Sequence, residues 1–237
     1  MAENLLLISN STVFGRGYLD HVAEEIQKTF SGVLKVLFFP YALYDMDGYA
    51  DKARSRFNQL GCQLESIHQI PAEGRQNAVA RAEALFIGGG NTFRLLHALY
   101  RDGLLPVIRS RVARDVPFIG ASAGAIVAGP TIKTTKDMPV IQPPSFDSLG
   151  IFPYQISPHY LDPDPASHHM GETQEERIGQ FLEENDTPVI GLRERSWIRQ
   201  VNGVAVLKGP LFARVFRRIE KPFETGPGTN LTALLEN

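Results

Sequence analysis

The sequence predicts an α/β fold: a mostly parallel sheet with helices on both faces and an added hairpin. Three observations carry that expectation. Short apolar runs alternate with stretches of helical periodicity over the first 130 residues. Several of those runs are apolar without a break, as strands covered on both faces must be. Near the end, Asn202-Gly203 separates two strand-like segments, which is a strong type I′ hairpin signal.

Taken in order, residues 5–8 form the first buried-strand candidate. Leu19, Val22, Ala23, Ile26 and Phe30 then recur at helical spacing. Residues 33–39 form a second strand, closed by Pro40. Ala50, Ala53, Phe57 and Leu60 mark a helix with Asp47 as its cap and Gly61 past its end. A weaker third strand at 63–67, a short helix at 77–82 and a fourth strand at 84–87 follow. Gly88-Gly89-Gly90-Asn91 turns into a helix carrying Phe93, Leu95, Leu96 and Leu99, and 116–120 is the fifth strand. Residues 129–171, rich in Pro, Asp and Ser, predict a long loop region, a kind usually tied to function. Thr173-Gln174-Glu175-Glu176 is a capping box opening a helix to about Asn185. Strands at 188–191, 196–201, 204–207 and 212–219 complete a single domain over 1–220, with 221–237 as a weakly structured tail.

Composition bounds the function. With 237 residues, 43% apolar and 21% charged, the chain is an ordinary globular one and not a disordered or collagenous one. Its 24 basic and 26 acidic side chains leave a net charge of -2, which gives no electrostatic case for nucleic acid or an anionic membrane. The lone cysteine, Cys62, cannot form an internal disulfide and fits a reducing, cytoplasmic setting. The apolar run at 5–8 is too short for a signal peptide. The uncharged stretch 116–132 approaches the length of a membrane span. Its prolines, glycines and central serine instead predict a buried strand, a sharp turn and a packed helix.

That turn is Gly120-Ala121-Ser122-Ala123-Gly124, which fits G-x-S-x-G between a strand and a helix. A turn this tight needs small neighbours, and it lifts the serine oxygen clear of the sheet at a helix N-terminus. The plainer alternative is close helix–sheet packing. The Gly88–Asn91 turn lacks the third glycine of a dinucleotide-binding loop, since Phe93 stands in its place. Its amides can instead face Ser122 and complete an oxyanion hole with Ala123. Among six histidines, His21, His68 and His97 fit structural or surface roles, and His159 is the best base. His168 and His169 lie near Asp162, Asp164 and Glu172, but no H-E-x-x-H helix is present and no metal is expected.

These residues resemble the aspartyl dipeptidase (peptidase E) family of serine peptidases. The matches run in order: Ser9-Asn10-Ser11-Thr12, Gly88 to Phe93, Gly120 to Ala125, and Thr134-Thr135-Lys136-Asp137-Met138-Pro139. Pro158-His159, Gly171 through Ile178, and Gly191 through Trp197 continue the series over roughly 5–217. The resemblance implies a fold like the class I glutamine amidotransferase domains. It implies Ser122 as nucleophile, His159 as general base, and the amides of Gly90 and Ala123 as the oxyanion hole. For the acid that orients His159, Asp137 is the first choice and Glu194 the rival. Ala121 stands where family members tend to carry a large aromatic residue, which alters the expected pocket shape.

The implied reaction is hydrolysis of Asp-X dipeptides through an acyl-enzyme, with no cofactor. A substrate carboxylate calls for a cation, best an arginine; Arg177 is the first candidate, ahead of Arg94 and Arg193, with Asn91 also expected at the substrate. The expected partner is a small acidic dipeptide, with no nucleic acid or membrane, and the chain is expected to be a monomer or homodimer. The alternatives are a related serine hydrolase of isoaspartyl or poly-aspartate substrates, a metal hydrolase using the 162–172 cluster, or a non-catalytic binding module.

Overall fold

Five strands, four of them apolar runs, pair in parallel and fix the centre of the fold. In the computed structural model, which describes residues 4–164, 166, 168 and 170–235, the first half runs β1 (Asn4–Ile8), α1 (Ala23–Thr29), β2 (Lys35–Phe39), α2 (Met46–Gln59), β3 (Gln63–Ser66), α3 (Ala72–Arg81), β4 (Ala84–Ile87), α4 (Thr92–Arg101), α5 (Leu105–Val112), β5 (Phe118–Ala121) and α6 (Ala123–Ala128). The second half runs β6 (Gln155–Pro158), α7 (Gln174–Glu184), β7 (Val189–Leu192), β8 (Trp197–Val201), β9 (Val204–Lys208), β10 (Ala213–Phe216), β11 (Phe223–Thr225) and α8 (Leu231–Leu235).

Seven strands form the main sheet in the order β3-β2-β4-β5-β1-β8-β9. The first five are parallel, and β8 and β9 add antiparallel at one edge. Leu5, Leu6, Leu7 and Ile8 of β1 are all fully buried, because helices cover both faces. Each contributes on the order of 1.5–3 kcal/mol relative to exposure. One face packs Leu7, Phe39, Ile87 and Phe118 beneath α3 to α6, and the other packs Ile8, Phe38 and Phe86 beneath α1 and α2. The β8–β9 turn has φ 49° at Asn202 and 76° at Gly203, the positive pair a type I′ hairpin needs.

A second sheet, β11-β10-β7-β6, was not expected from the sequence. In it β6 and β7 are parallel, with Pro158 opposite Leu192. Three further expectations change. The cap of α2 is Asp45, whose Oδ1 accepts from the Gly48 amide at 2.9 Å, and Asp47 lies one residue inside the helix. The 129–171 region holds β6, the strand that delivers His159. The stretch beyond 221 is not a weakly structured tail: β11 pairs with β10, and α8 buries Leu231 completely against the core. Among the described residues no helix is long and apolar enough to cross a membrane; the uncharged stretch resolves into β5 and the six-residue α6.

Candidate active site

The carboxyl ends of β1, β4 and β5 lie side by side, so the residues just beyond them meet. Ser122 follows β5 with φ 53° and ψ −110°, a conformation an L-residue holds only when its surroundings impose it. Two glycines make that turn possible. A Cβ on Gly120 would lie 2.4 Å from the Gly124 carbonyl oxygen, and one on Gly124 would lie 2.1 Å from the Ile87 oxygen. Only bare backbone fits there.

The second sheet supplies the other half. His159 is the first residue past β6, and Glu194 is the second past β7. Because these strands are parallel neighbours in register, the two side chains meet. Ser122 Oγ lies 2.9 Å from His159 Nε2, and His159 Nδ1 lies 2.8 Å from Glu194 Oε1. The His159 and Glu194 side chains are 41% and 50% exposed, so their pairing is screened and its value here is directional.

Asp137 stands elsewhere. Its Oδ2 accepts from the Thr92 amide at 2.7 Å, the Thr92 hydroxyl at 2.5 Å and the Thr135 hydroxyl at 3.1 Å. A carboxylate at a helix N-terminus is stabilised by the unpaired amides there, so Asp137 ties its loop to α4. The carboxylate in contact with His159 is that of Glu194, and not, as the first expectation had it, that of Asp137. Asn91, expected at the substrate, sits at the start of α4. Its Oδ1 caps α4 through the Arg94 amide at 3.0 Å, and its Nδ2 donates to the Met138 carbonyl at 2.8 Å, so its side chain ties the glycine turn to α4 and to the 138 loop.

In the glycine turn, the Gly88 amide donates to Phe39 O at 3.3 Å, Gly89 to the Tyr49 hydroxyl at 2.9 Å, and Asn91 to Ala42 O at 2.9 Å. Among the described residues the Gly90 amide has no such partner. Gly90 has φ 132°, and a Cβ there would meet the Ala42 oxygen at 2.7 Å. Ala123 opens α6, where helix geometry leaves its amide without an intrahelical acceptor. A Cβ on Gly89 would lie 2.9 Å from that of Ser122, which puts this turn directly against the serine.

Two concavities adjoin the site. One of about 410 Å³ reaches Gly89 and Gly90 and is lined by Ser11, Tyr18 and Lys52. A smaller cleft of about 70 Å³ lies among Lys136, Ser157, Gln174 and Arg177. Arg177 is half-exposed and, among the described residues, has one ion pair, to Glu172 at 3.6 Å. Arg193 is fully engaged by Asp162, Glu224 and the Phe212 carbonyl. Arg94 lies over the Tyr44 ring, 5.7 Å from its centroid. His169 of the acid–histidine cluster lies outside the described residues, and among those described no three His, Cys, Asp or Glu side chains converge on a metal-sized space.

Sequence reasoning assigned no role to Ser9, Asn10, Tyr49 or Lys136. Ser9 Oγ accepts from the His159 amide at 2.9 Å and donates to Leu192 O at 2.8 Å, while Asn10 Oδ1 accepts from the Arg195 amide at 2.8 Å. This buried pair thus grips the backbone beside both His159 and Glu194. The available signal was two polar residues at the carboxyl end of a fully apolar strand.

The model of peptidase family S51 matches residues 5–207. The chain belongs to that family. It is 49% identical over 236 residues to a protein of Streptomyces coelicolor named peptidase E, covering 98% of this chain and 95% of that one. It is 43% identical over 238 residues to a Drosophila melanogaster protein named "Probable alpha-aspartyl dipeptidase", covering 99% and 98%. The crystal structure of a peptidase from an acI-B1 actinobacterium superposes with a TM-score of 0.66 over 97% of each chain at 16% identity, which speaks to the fold. Family S51 membership makes the chain a serine peptidase, and the mixed α/β fold is the one its sequence predicts.

Proposed function

We propose that this S51 peptidase hydrolyses dipeptides with an N-terminal aspartate, Asp-X, through an acyl-enzyme on Ser122. The observation that carries the proposal is the hydrogen-bonded line from Ser122 Oγ through His159 to Glu194, at 2.9 and 2.8 Å. The chain's similarity to the protein named "Probable alpha-aspartyl dipeptidase" supports the substrate.

In this mechanism His159 Nε2 takes the Ser122 proton as Oγ attacks the peptide carbonyl. Glu194 accepts from Nδ1–H, which fixes the tautomer and stabilises the imidazolium. The amides of Gly90 and Ala123 hold the tetrahedral oxygen, His159 protonates the leaving amine, and water resolves the ester. Arg177 is proposed to bind the aspartate carboxylate. A cytoplasmic setting and a monomer or homodimer complete the proposal; the buried, unpaired Cys62 supports the former.

The test is a panel of Asp-Leu, β-linked Asp-Leu, poly-aspartate and Leu-Leu offered to the purified enzyme. The highest kcat/KM is expected for Asp-Leu. Preference for the β-linked dipeptide or the polymer would make the chain a different serine hydrolase, and no turnover of any would favour a binding module.

A further inference from the structure

Lys136 lies in the loop that joins α6 to β6. The residue is exposed overall, yet its ammonium is turned onto three protein oxygens. It donates to the carbonyls of Pro158 at 2.7 Å and His159 at 3.2 Å, and to Gln174 Oε1 at 3.1 Å. An ammonium has three protons, so this one has none left for a substrate carboxylate. Lys136 is a cation beside the site that does not serve as a substrate anchor.

What it holds is unusual. His159 has φ 52°, a left-handed backbone that a non-glycine residue keeps only when its surroundings determine it. Ser9 Oγ fixes the amide side of that residue, and Gln174 Nε2 joins Lys136 on its carbonyl at 3.3 Å. Without the ammonium, the Pro158 carbonyl loses its 2.7 Å donor and the His159 carbonyl keeps only the weaker amide.

We propose that Lys136 is a positioning residue: its ammonium holds the strained backbone of His159, and so keeps Nε2 on Ser122, and activity requires it to be charged. The proposal rests on Ser122 and His159 acting as described above. The charged groups facing the ammonium are Asp137 on its own loop, Arg177 on α7 and Glu194 beyond β7. Burial of the ammonium outweighs the pull of Asp137, and with help from Arg177 pushes its pKa down to about 8. Above that pH the amine has two protons for three acceptors and the clamp loosens.

The experiment follows Ser122 directly with a fluorophosphonate, so that neither a peptide substrate nor its amine takes part. Ser122 Oγ displaces fluoride from phosphorus, its proton passing to His159 while fluoride departs. The wild-type rate constant is expected to fall as pH rises through about 8. Lys136→Arg keeps its charge throughout and should shift that fall by two or more pH units. Lys136→Met should react about 10²-fold more slowly at pH 7.5, the cost of a displaced catalytic group. A Lys136→Arg protein that loses reactivity at the wild-type pH, or a folded Lys136→Met protein that reacts at the wild-type rate, overturns the proposal. A wild-type enzyme inert to the reagent at every pH removes the serine mechanism itself, and the proposal with it.

Discussion

Glu194 Oε1 approaches His159 Nδ1 to 2.8 Å from the side of the ring opposite Ser122. The contact follows from strand pairing: β6 and β7 are parallel with Pro158 opposite Leu192, so the residues just beyond them are brought together. Asp137, the competing acid, is held at the first turn of α4 by Thr92 and Thr135.

These placements predict opposite consequences for two isosteric changes. Glu194→Gln should lower kcat for Asp-Leu by about 10⁴, since the wrong tautomer of His159 becomes accessible. Asp137→Asn should leave kcat near wild type and lower stability by about 1 kcal/mol, the cost of a weakened helix cap. Steady-state kinetics and urea unfolding read both, and the reverse pattern would return the orienting role to Asp137.

For the substrate carboxylate, Arg177→Met should lower kcat/KM for Asp-Leu by at least tenfold, as loss of a charged hydrogen bond does, and leave Leu-Leu unaffected. Lys52, whose ammonium lies 4.9 Å from the Tyr18 ring centroid, is the cation of the larger concavity. Lys52→Met is the matched control. A selective loss in that variant, and none in Arg177→Met, would move the aspartate side chain to the Gly89–Gly90 side.

Remote from the site, Asp102 accepts from the Tyr41 hydroxyl at 2.6 Å and from Arg75 at 2.8 Å, with Arg101 at 2.7 Å and its own side chain 5% exposed. Burial raises its pKa, but hydrogen bonds from Arg101, Tyr41 and Arg75 outweigh it and hold the carboxyl below its ordinary range. A depressed carboxylate stabilises the fold above the unfolded-state value near 4, and that contribution is lost as pH falls through the folded value. Thermal unfolding between pH 6 and 2 should therefore show a loss that Asp102→Asn lacks. At pH 7 that variant should be less stable by about 1–3 kcal/mol, because the largely buried Arg75 guanidinium loses its charged partner while the half-exposed Arg101 is solvated. Equal acid sensitivity in the two proteins would dismiss the network.

Much of this was legible in the sequence because it is local. The continuous apolar runs of β1, β2, β4 and β5, the small-residue turn around Ser122 and the Thr173–Glu176 capping box each carry their cause within a few residues. In the last, Thr173 and Glu176 bond reciprocally, at 2.6 Å and 3.2 Å. The acid partner of His159 was not legible, because it depends on β6 pairing with β7 across some 30 residues. β6 itself is Gln-Ile-Ser-Pro inside a stretch with loop-like composition. The capping role of Asn91 was not separable from substrate binding, because the two look alike at a strand–helix turn. The C-terminal residues misled because β11 and α8 are short and gain their structure from β10 and the buried seat of Leu231.

Turnover of Asp-Leu by wild-type and Ser122→Ala protein tests the central claim most directly. The wild type should hydrolyse the dipeptide, and the variant, with an unchanged circular dichroism spectrum, should lose on the order of 10⁴–10⁶ in kcat, as loss of a nucleophile does. Hydrolysis by pure Ser122→Ala protein at a rate near wild type would contradict the assignment of Ser122 as nucleophile.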